Sequence, residues 1–220
     1  MTEIEVPQNP HQGQPVRMAG ELLESGQAAM LMVHGRGARA EDILTLAAEL
    51  DQPGFTYLAP QAAGNTWYPN RFLVPIEENE PWLSSALAFV GDVFARIVNG
   101  GIPAERIILL GFSQGACLTL EFAARNARRY GGIVGLSGAL IGPDETPRNY
   151  AGSLDGTPVF LGCSDVDFHV PKERVDQTAD VLKNLAGDVT ERLYPNMDHS
   201  VNQDEIDFVR GMMKALTANL

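Results

Sequence analysis

Short apolar runs alternate with longer amphipathic ones along most of this chain, and that alternation restricts the fold more than any other feature. The first clear run, Ala29-Met30-Leu31-Met32-Val33, is uncharged and stops at His34-Gly35. A strand covered on both faces needs no polar positions, so such a run reads as a buried parallel strand. A helix is expected over residues 40–50, a strand over 55–59 and a helix over 82–98, closed by the stop signal Asn99-Gly100-Gly101. The series continues with a strand at 106–110, a helix at 114–129, strands at 132–136 and 158–162, a helix at 171–185, a strand at 188–194 and a helix at 202–216. This order predicts an α/β fold with a mostly parallel central sheet and helices on both faces. In such folds ligands bind at the carboxyl ends of the strands. An extra pair of strands, 16–19 and 21–24, is signalled more weakly.

Length and composition narrow the class. With 220 residues, 45% apolar and 20% charged, the chain is expected to form one globular domain over residues 16–220 after an irregular tail, 1–15, punctuated by Pro7, Pro10, Gly13 and Pro15. The tail lacks the basic start and apolar centre of a secretory signal. Sixteen basic residues against 28 acidic ones give a net charge of −12, which would repel nucleic acid and anionic bilayers, so neither is expected as a partner. The longest charge-free apolar stretch, residues 107–120, is too short and too interrupted by polar residues and glycine for stable membrane insertion. Two cysteines, Cys117 and Cys163, form no metal-type doublet and point to a reducing, cytoplasmic setting.

Two stretches depart from the alternation. Residues 60–81 interleave Trp67, Tyr68, Phe72, Leu73, Val74 and Ile76 with prolines, asparagines and acidic residues, and Trp82 follows, so an ordered loop with a functional role is expected. Residues 137–157, rich in glycine and proline, are too few to form a large cap.

Gly111-Phe112-Ser113-Gln114-Gly115 lies between an expected strand and an expected helix, the context in which G-x-S-x-G marks a nucleophile elbow. A serine hydroxyl needs a base. Of the four histidines, His11 lies in the expected tail, His34 ends the first clear strand as a loop-positioning residue, and His169 directly precedes Val170-Pro171. His199 follows the last strand at the same edge as Ser113 and is the best base. The acid should fall between serine and histidine in the chain. Asp165 and Asp167 both follow the strand at 158–162; Asp167 is preferred, with Asp165 holding the loop. Reading Cys163, Asp165, Asp167 and His169 as metal ligands is disfavoured, since no second cluster accompanies them, and no cofactor is required. Backbone N–H groups of Gln114, at a helix start, and of Arg36, in the turn His34-Gly35-Arg36-Gly37, are expected to form the oxyanion hole. Trp67, Tyr68, Phe72, Leu73 and Trp82 are expected to wall an acyl groove.

These residues resemble the phospholipase/carboxylesterase family of α/β-hydrolases, which includes bacterial carboxylesterases and acyl-protein thioesterases. The likeness runs from residue 29 to the C-terminus. It rests on His34-Gly35-x-Gly37, Leu58-Ala59-Pro60-Gln61 with Trp67, the elbow, Leu136-Ser137-Gly138, the loop from Asp165 to Pro171, and Met197-x-His199-Ser200. The resemblance implies Ser113 as nucleophile, Asp167 as acid, His199 as base, and Arg36 and Gln114 N–H groups for the oxyanion. It also makes a homodimer compatible with the sequence, to which the apolar loop after Pro60 would contribute if exposed. Two departures stand out: Arg36 replaces a frequently apolar residue, and Cys163-Ser164 replaces a frequent His-Gly pair. The first suggests substrates with an anionic group. The expected activity is hydrolysis of small-molecule carboxylic esters with short to medium acyl chains, with lysophospholipids or acyl-protein thioesters as rival substrates and a non-catalytic binding protein as the rival class.

Overall fold

A computed structural model describes residues 8–50 and 52–218 of the chain. Seven strands, β1 (Val16–Gly20), β2 (Ala28–Val33), β3 (Phe55–Pro60), β4 (Ile107–Phe112), β5 (Gly132–Leu136), β6 (Pro158–Ser164) and β7 (Asp188–Tyr194), form one sheet in the order β1-β3-β2-β4-β5-β6-β7. Only β1 runs antiparallel, against β3; the other neighbours are parallel. Among the described residues five α-helices cover the sheet: α1 (Ala40–Leu50), α2 (Trp82–Asn99), α3 (Gln114–Arg125), α4 (Lys172–Asn184) and α5 (Gln203–Thr217).

The two-residue period of a strand divides the core into two layers. Ala29, Leu31 and Val33 of β2 pack with Ile107 and Leu109 of β4 and with residues of α2, α3 and α4. Ala28, Met30 and Met32 pack with Ile108 and Leu110 on the other face, against α1 and α5. Every residue of β2 is buried, which is why the sequence shows an unbroken apolar run there. β2 and β4 are adjacent, with Val33 paired to Gly111, yet the helices that follow them leave to opposite faces of the sheet. That divergence opens a crevice at the carboxyl ends of β2 and β4, the switch point where open α/β sheets hold ligands.

Two expectations need correction, and the expected tail gains a detail. Residues 21–24 form a turn rather than a strand: Gly20 takes a positive φ of 76°, and the Ser25 and Gly26 N–H groups both donate to Leu22 O. Helix α3 stops at Arg125 rather than 129, because Asn126 leaves helical geometry (φ −120°, ψ 40°) and both its backbone and its side-chain N–H donate to Phe122 O. The first seven residues of the expected tail lie outside the described residues, and the remainder is bound to the domain. Residues 8–15 hold no helix or strand, but His11 is fully buried. Its Nδ1 accepts the Ala63 N–H at 3.1 Å, which leaves the proton on Nε2 to donate to Trp67 O at 2.9 Å. The ring also lies against Trp67 and Trp82, with centroids 5.3 and 5.4 Å away.

Candidate active site

Ser113 sits between β4 and α3 with φ 55° and ψ −122°. A non-glycine residue at positive φ is strained, and here the neighbours enforce it. A Cβ on Gly111 would collide with the backbone of Gly115, and one on Gly115 would collide with the carbonyls of Val33 and His34. The glycines thus let β2, β4 and α3 meet closely enough to thrust the serine into the crevice.

Two loops bring its partners. The loop after β6 carries Asp167, the loop after β7 carries His199, and these strands are neighbours, with Ser164 paired to Tyr194. Asp165 fastens the two loops by accepting the Asn196 N–H at 2.8 Å. His199 Nε2 lies 2.8 Å from Ser113 Oγ, and Nδ1 lies 2.6 Å from Asp167 Oδ2. The other oxygen of Asp167 accepts the N–H groups of His169 and Val170 at 2.8 and 3.0 Å. Burial alone would push the Asp167 carboxyl up, but the His199 bond and the two N–H groups outweigh it and hold the group below its usual range. A carboxylate therefore faces Nδ1, so the ring proton sits there and Nε2 is free to accept from the serine.

Gln114 is the first residue of α3, where N–H groups lack a partner within the helix. Arg36, in the turn after β2, lines the same cavity as Gln114, and among the described residues its backbone N–H has no hydrogen-bond partner. Gly35 allows the close approach: a Cβ there would press on Phe112 and Ser113 at 3.3 to 3.4 Å. His34 is buried beneath this turn; its Nε2 accepts the Ala62 N–H at 3.1 Å and Nδ1 donates to Gly35 O at 2.8 Å. It fixes the loop and does not reach the serine.

Ser113, Gln114 and His199 open into a cavity of about 830 Å³ walled by Gly35, Arg36, Tyr68, Asn70, Arg71, Phe72, Phe112, Phe168, His169 and Val170. Cys117 also lines it, but burial pushes its thiol up to about 11, so it is a thiol rather than a competing thiolate at neutral pH. Among the described residues no cluster of three or more His, Cys, Asp or Glu is placed to hold a metal ion.

The phospholipase/carboxylesterase family model matches residues 23–217. The chain belongs to this family. The crystal structure of a phospholipase/carboxylesterase from Dyadobacter fermentans is 42% identical, superimposes with a TM-score of 0.88 and is matched over 91% of this chain and 96% of that one. The Bacillus cereus carboxylesterase, at 17% identity and a TM-score of 0.73 over 93% and 95% of the two chains, shares the fold. Acyl-protein thioesterase 1 of Gibberella zeae is 36% identical over 53% of this chain and 51% of its own length, and that of Neurospora crassa 30% identical over 62% and 56%. The chain spans about half the length of these curated relatives.

Within this family frame the loop at 60–81 divides its aromatic residues between two jobs. Tyr68 and Phe72 line the cavity, whereas Trp67, Leu73 and Trp82 do not. Trp67 is fully buried, its indole N–H donating to His34 O at 2.8 Å, and Trp82 and Leu73 pack against the core. The expectation that those three wall an acyl groove is corrected: they anchor the loop from beneath. Trp67, Tyr68 and Phe72 of this loop are buried, and Leu73, Val74 and Ile76 are half-buried. Arg71, Phe112, Phe168 and His169 are among the lining residues that escaped the sequence reading. Phe112 and the pair Phe168-His169 lie inside motifs already singled out, so adjacency was an available signal; Arg71, alone in a loop, gave none. Among the described residues no helix is long and apolar enough to cross a membrane.

Proposed function

We propose that this chain is a serine hydrolase that cleaves carboxylic esters of short to medium acyl chains through an acyl-enzyme. Ser113 Oγ attacks the ester carbonyl as His199 Nε2 takes its proton, and the N–H groups of Arg36 and Gln114 receive the charge developing on the carbonyl oxygen. Asp167 stabilises the imidazolium without taking the proton itself. The carbon–oxygen bond to the alcohol then breaks, and His199 returns the proton to the departing oxygen. Water, deprotonated by the same nitrogen, attacks the acyl carbon, releases the acid and restores Ser113. Tyr68, Phe72, Phe112 and Val170 offer the acyl chain apolar contact without demanding hydrogen bonds.

The observation carrying this reading is the unbroken run of hydrogen bonds from Ser113 Oγ through His199 to Asp167, 2.8 and 2.6 Å long, on a serine held at positive φ. A fluorophosphonate followed by intact mass tests it. One adduct on the wild type, absent from Ser113→Ala, is expected; no adduct on well-folded wild type overturns the reading. The name of the relatives from Gibberella zeae and Neurospora crassa supports a second substrate class, acyl thioesters, which the same steps would cleave with a thiol leaving. Oxyester and thioester substrates with one shared acyl chain, compared by kcat/KM, separate the two.

A further inference from the structure

The cavity is basic in an acidic protein. The chain carries a net charge of −12, yet the side chains lining the cavity include Arg36, Arg71, His169 and His199 and no aspartate or glutamate. Asp167 lies behind His199, with both oxygens occupied by the histidine and by backbone N–H groups. Low-dielectric walls concentrate the field of fixed charges in a cleft, and the fixed charges lining this one are the two guanidiniums.

Both arginines are held in place, and neither is neutralised. Arg36 donates from Nη1 to Pro69 O at 2.8 Å and from Nη2 to Asn70 O, with its guanidinium over the Tyr68 ring at 6.0 Å. Arg71 Nη2 reaches across the cavity mouth to Phe168 O and His169 O, each at the long distance of 3.3 Å. Among the described residues neither forms an ion pair, unlike Arg17, Arg125, Arg174, Arg192 and Arg210. A guanidinium has five N–H donors, so three remain on Arg36, one on each nitrogen, and three on Arg71, at Nε and Nη1. Groups already fixed by backbone carbonyls lose less freedom when they bind than free surface arginines do.

We propose that the ester accepted here carries an anionic group, a carboxylate or a phosphate, which Arg36 and Arg71 hold while the ester carbonyl lies at Ser113. The inference rests on the hydrolase reading above and names its substrate class. Planar guanidinium forks match both oxyanions in geometry. Arg36 then acts twice, through its backbone N–H on the developing oxyanion and through its side chain on the substrate's charge.

The test measures kcat/KM of the full chain on matched anionic and neutral esters. One pair carries the charge on the acyl part: the 4-nitrophenyl monoester of adipic acid against its terminal amide. A second carries it on the alcohol: the butyryl ester of 4-hydroxybenzoate against that of 4-hydroxybenzamide. A third substrate, the butyryl ester of 4-hydroxyphenyl phosphate, separates phosphate from carboxylate. At least one anionic member is expected to be preferred by about ten-fold in 50 mM salt, with the preference shrinking in 500 mM salt as the field is screened. Arg71→Gln should abolish most of that preference and Arg71→Lys retain part of it. Equal turnover of anionic and neutral members overturns the inference while leaving the hydrolase reading intact, as does an Arg71→Gln loss shared equally by both members. No turnover of any ester, together with no fluorophosphonate adduct, overturns the hydrolase reading and takes this inference with it.

Discussion

The side-chain carbonyl of Gln114 accepts the backbone N–H of Trp67 at 2.9 Å, tying the first turn of α3 to the loop that shapes the cavity. The amide nitrogen of the same side chain donates to Tyr68 O at 2.8 Å. Gln114 thus carries one of the N–H groups proposed for the oxyanion while its side chain holds the loop at Trp67 and Tyr68. Gln114→Ala keeps the first and removes the second, stranding the buried Trp67 N–H at a cost of about 1 to 3 kcal/mol, while Tyr68 O keeps the Thr66 hydroxyl as donor at 3.1 Å. We expect a destabilisation of about 2 kcal/mol in urea unfolding and a rise in KM that exceeds the fall in kcat. An unchanged KM would mean that the loop holds Tyr68 in place without this anchor.

His11 makes an acid-sensitive contribution. Burial holds its pKa below the usual value despite the opposing pull of the Trp67 carbonyl, and His34 adds to the depression. The unfolded chain, titrating near pH 6.5, therefore takes up the proton before the folded one, so the stability His11 confers is present above about pH 6.5 and is lost as pH falls below it. His11→Gln should destabilise by roughly 1 to 3 kcal/mol at pH 7.5. The gap from wild type should narrow between pH 6.5 and pH 5. Denaturant midpoints over that range measure it, and a constant gap would contradict the buried neutral ring.

The sheet was legible because buried parallel strands leave continuous apolar runs, and Gly111 and Gly115 were legible because only glycine lets Ser113 stand where it does. Asp167 and His199 followed from chain order and from their positions just past strand ends. What stayed hidden depends on contacts between distant segments. His11 lies 56 positions from Trp67, whose carbonyl it meets, and nothing near it in sequence signals burial. Trp67 and Tyr68 are consecutive aromatic residues, and only the packed structure shows that one anchors the loop while the other faces the cavity. Arg71 finds its partners 97 and 98 positions away, beyond any local pattern.

Glu205 works in the opposite direction to His11. It closes the capping box of α5, where Glu205 N donates to the Asn202 side chain at 3.0 Å and the Asn202 N–H donates to Glu205 Oε2 at 2.8 Å. The other oxygen, Oε1, is buried without a partner among the described residues, against Gly162, where any Cβ would strike it. Burial pushes the carboxyl up to about 7, against the pull of the Asn202 N–H. The folded state keeps a proton that the unfolded state releases near pH 4.5, so this group's contribution falls as pH rises from about 4.5 to 7. Glu205→Gln keeps an acceptor for Asn202 and removes the titration. Thermal unfolding should show the variant equal to or below wild type at pH 4.5 and above it by roughly 1 to 3 kcal/mol at pH 8. A variant less stable at pH 8 would show that the cap outweighs the buried charge.

Asp167 offers the sharpest test of how the site works, because the depressed pKa keeps it a carboxylate well below neutral pH. Loss of activity under mild acid cannot then come from its protonation. In Asp167→Asn the remaining oxygen can still accept the N–H groups of His169 and Val170, so the loop should keep its shape. The new amide would turn its N–H toward His199 Nδ1 and force the ring proton onto Nε2. That nitrogen could no longer take the Ser113 proton, and kcat should fall by about 10³ to 10⁴-fold with little change in KM. Asp165→Asn is the comparison: its carboxylate accepts the Asn196 N–H from outside the relay, so the loss should stay within about ten-fold. Steady-state rates of both variants on one neutral ester decide the matter, and the reverse order of losses would move the orienting role to Asp165.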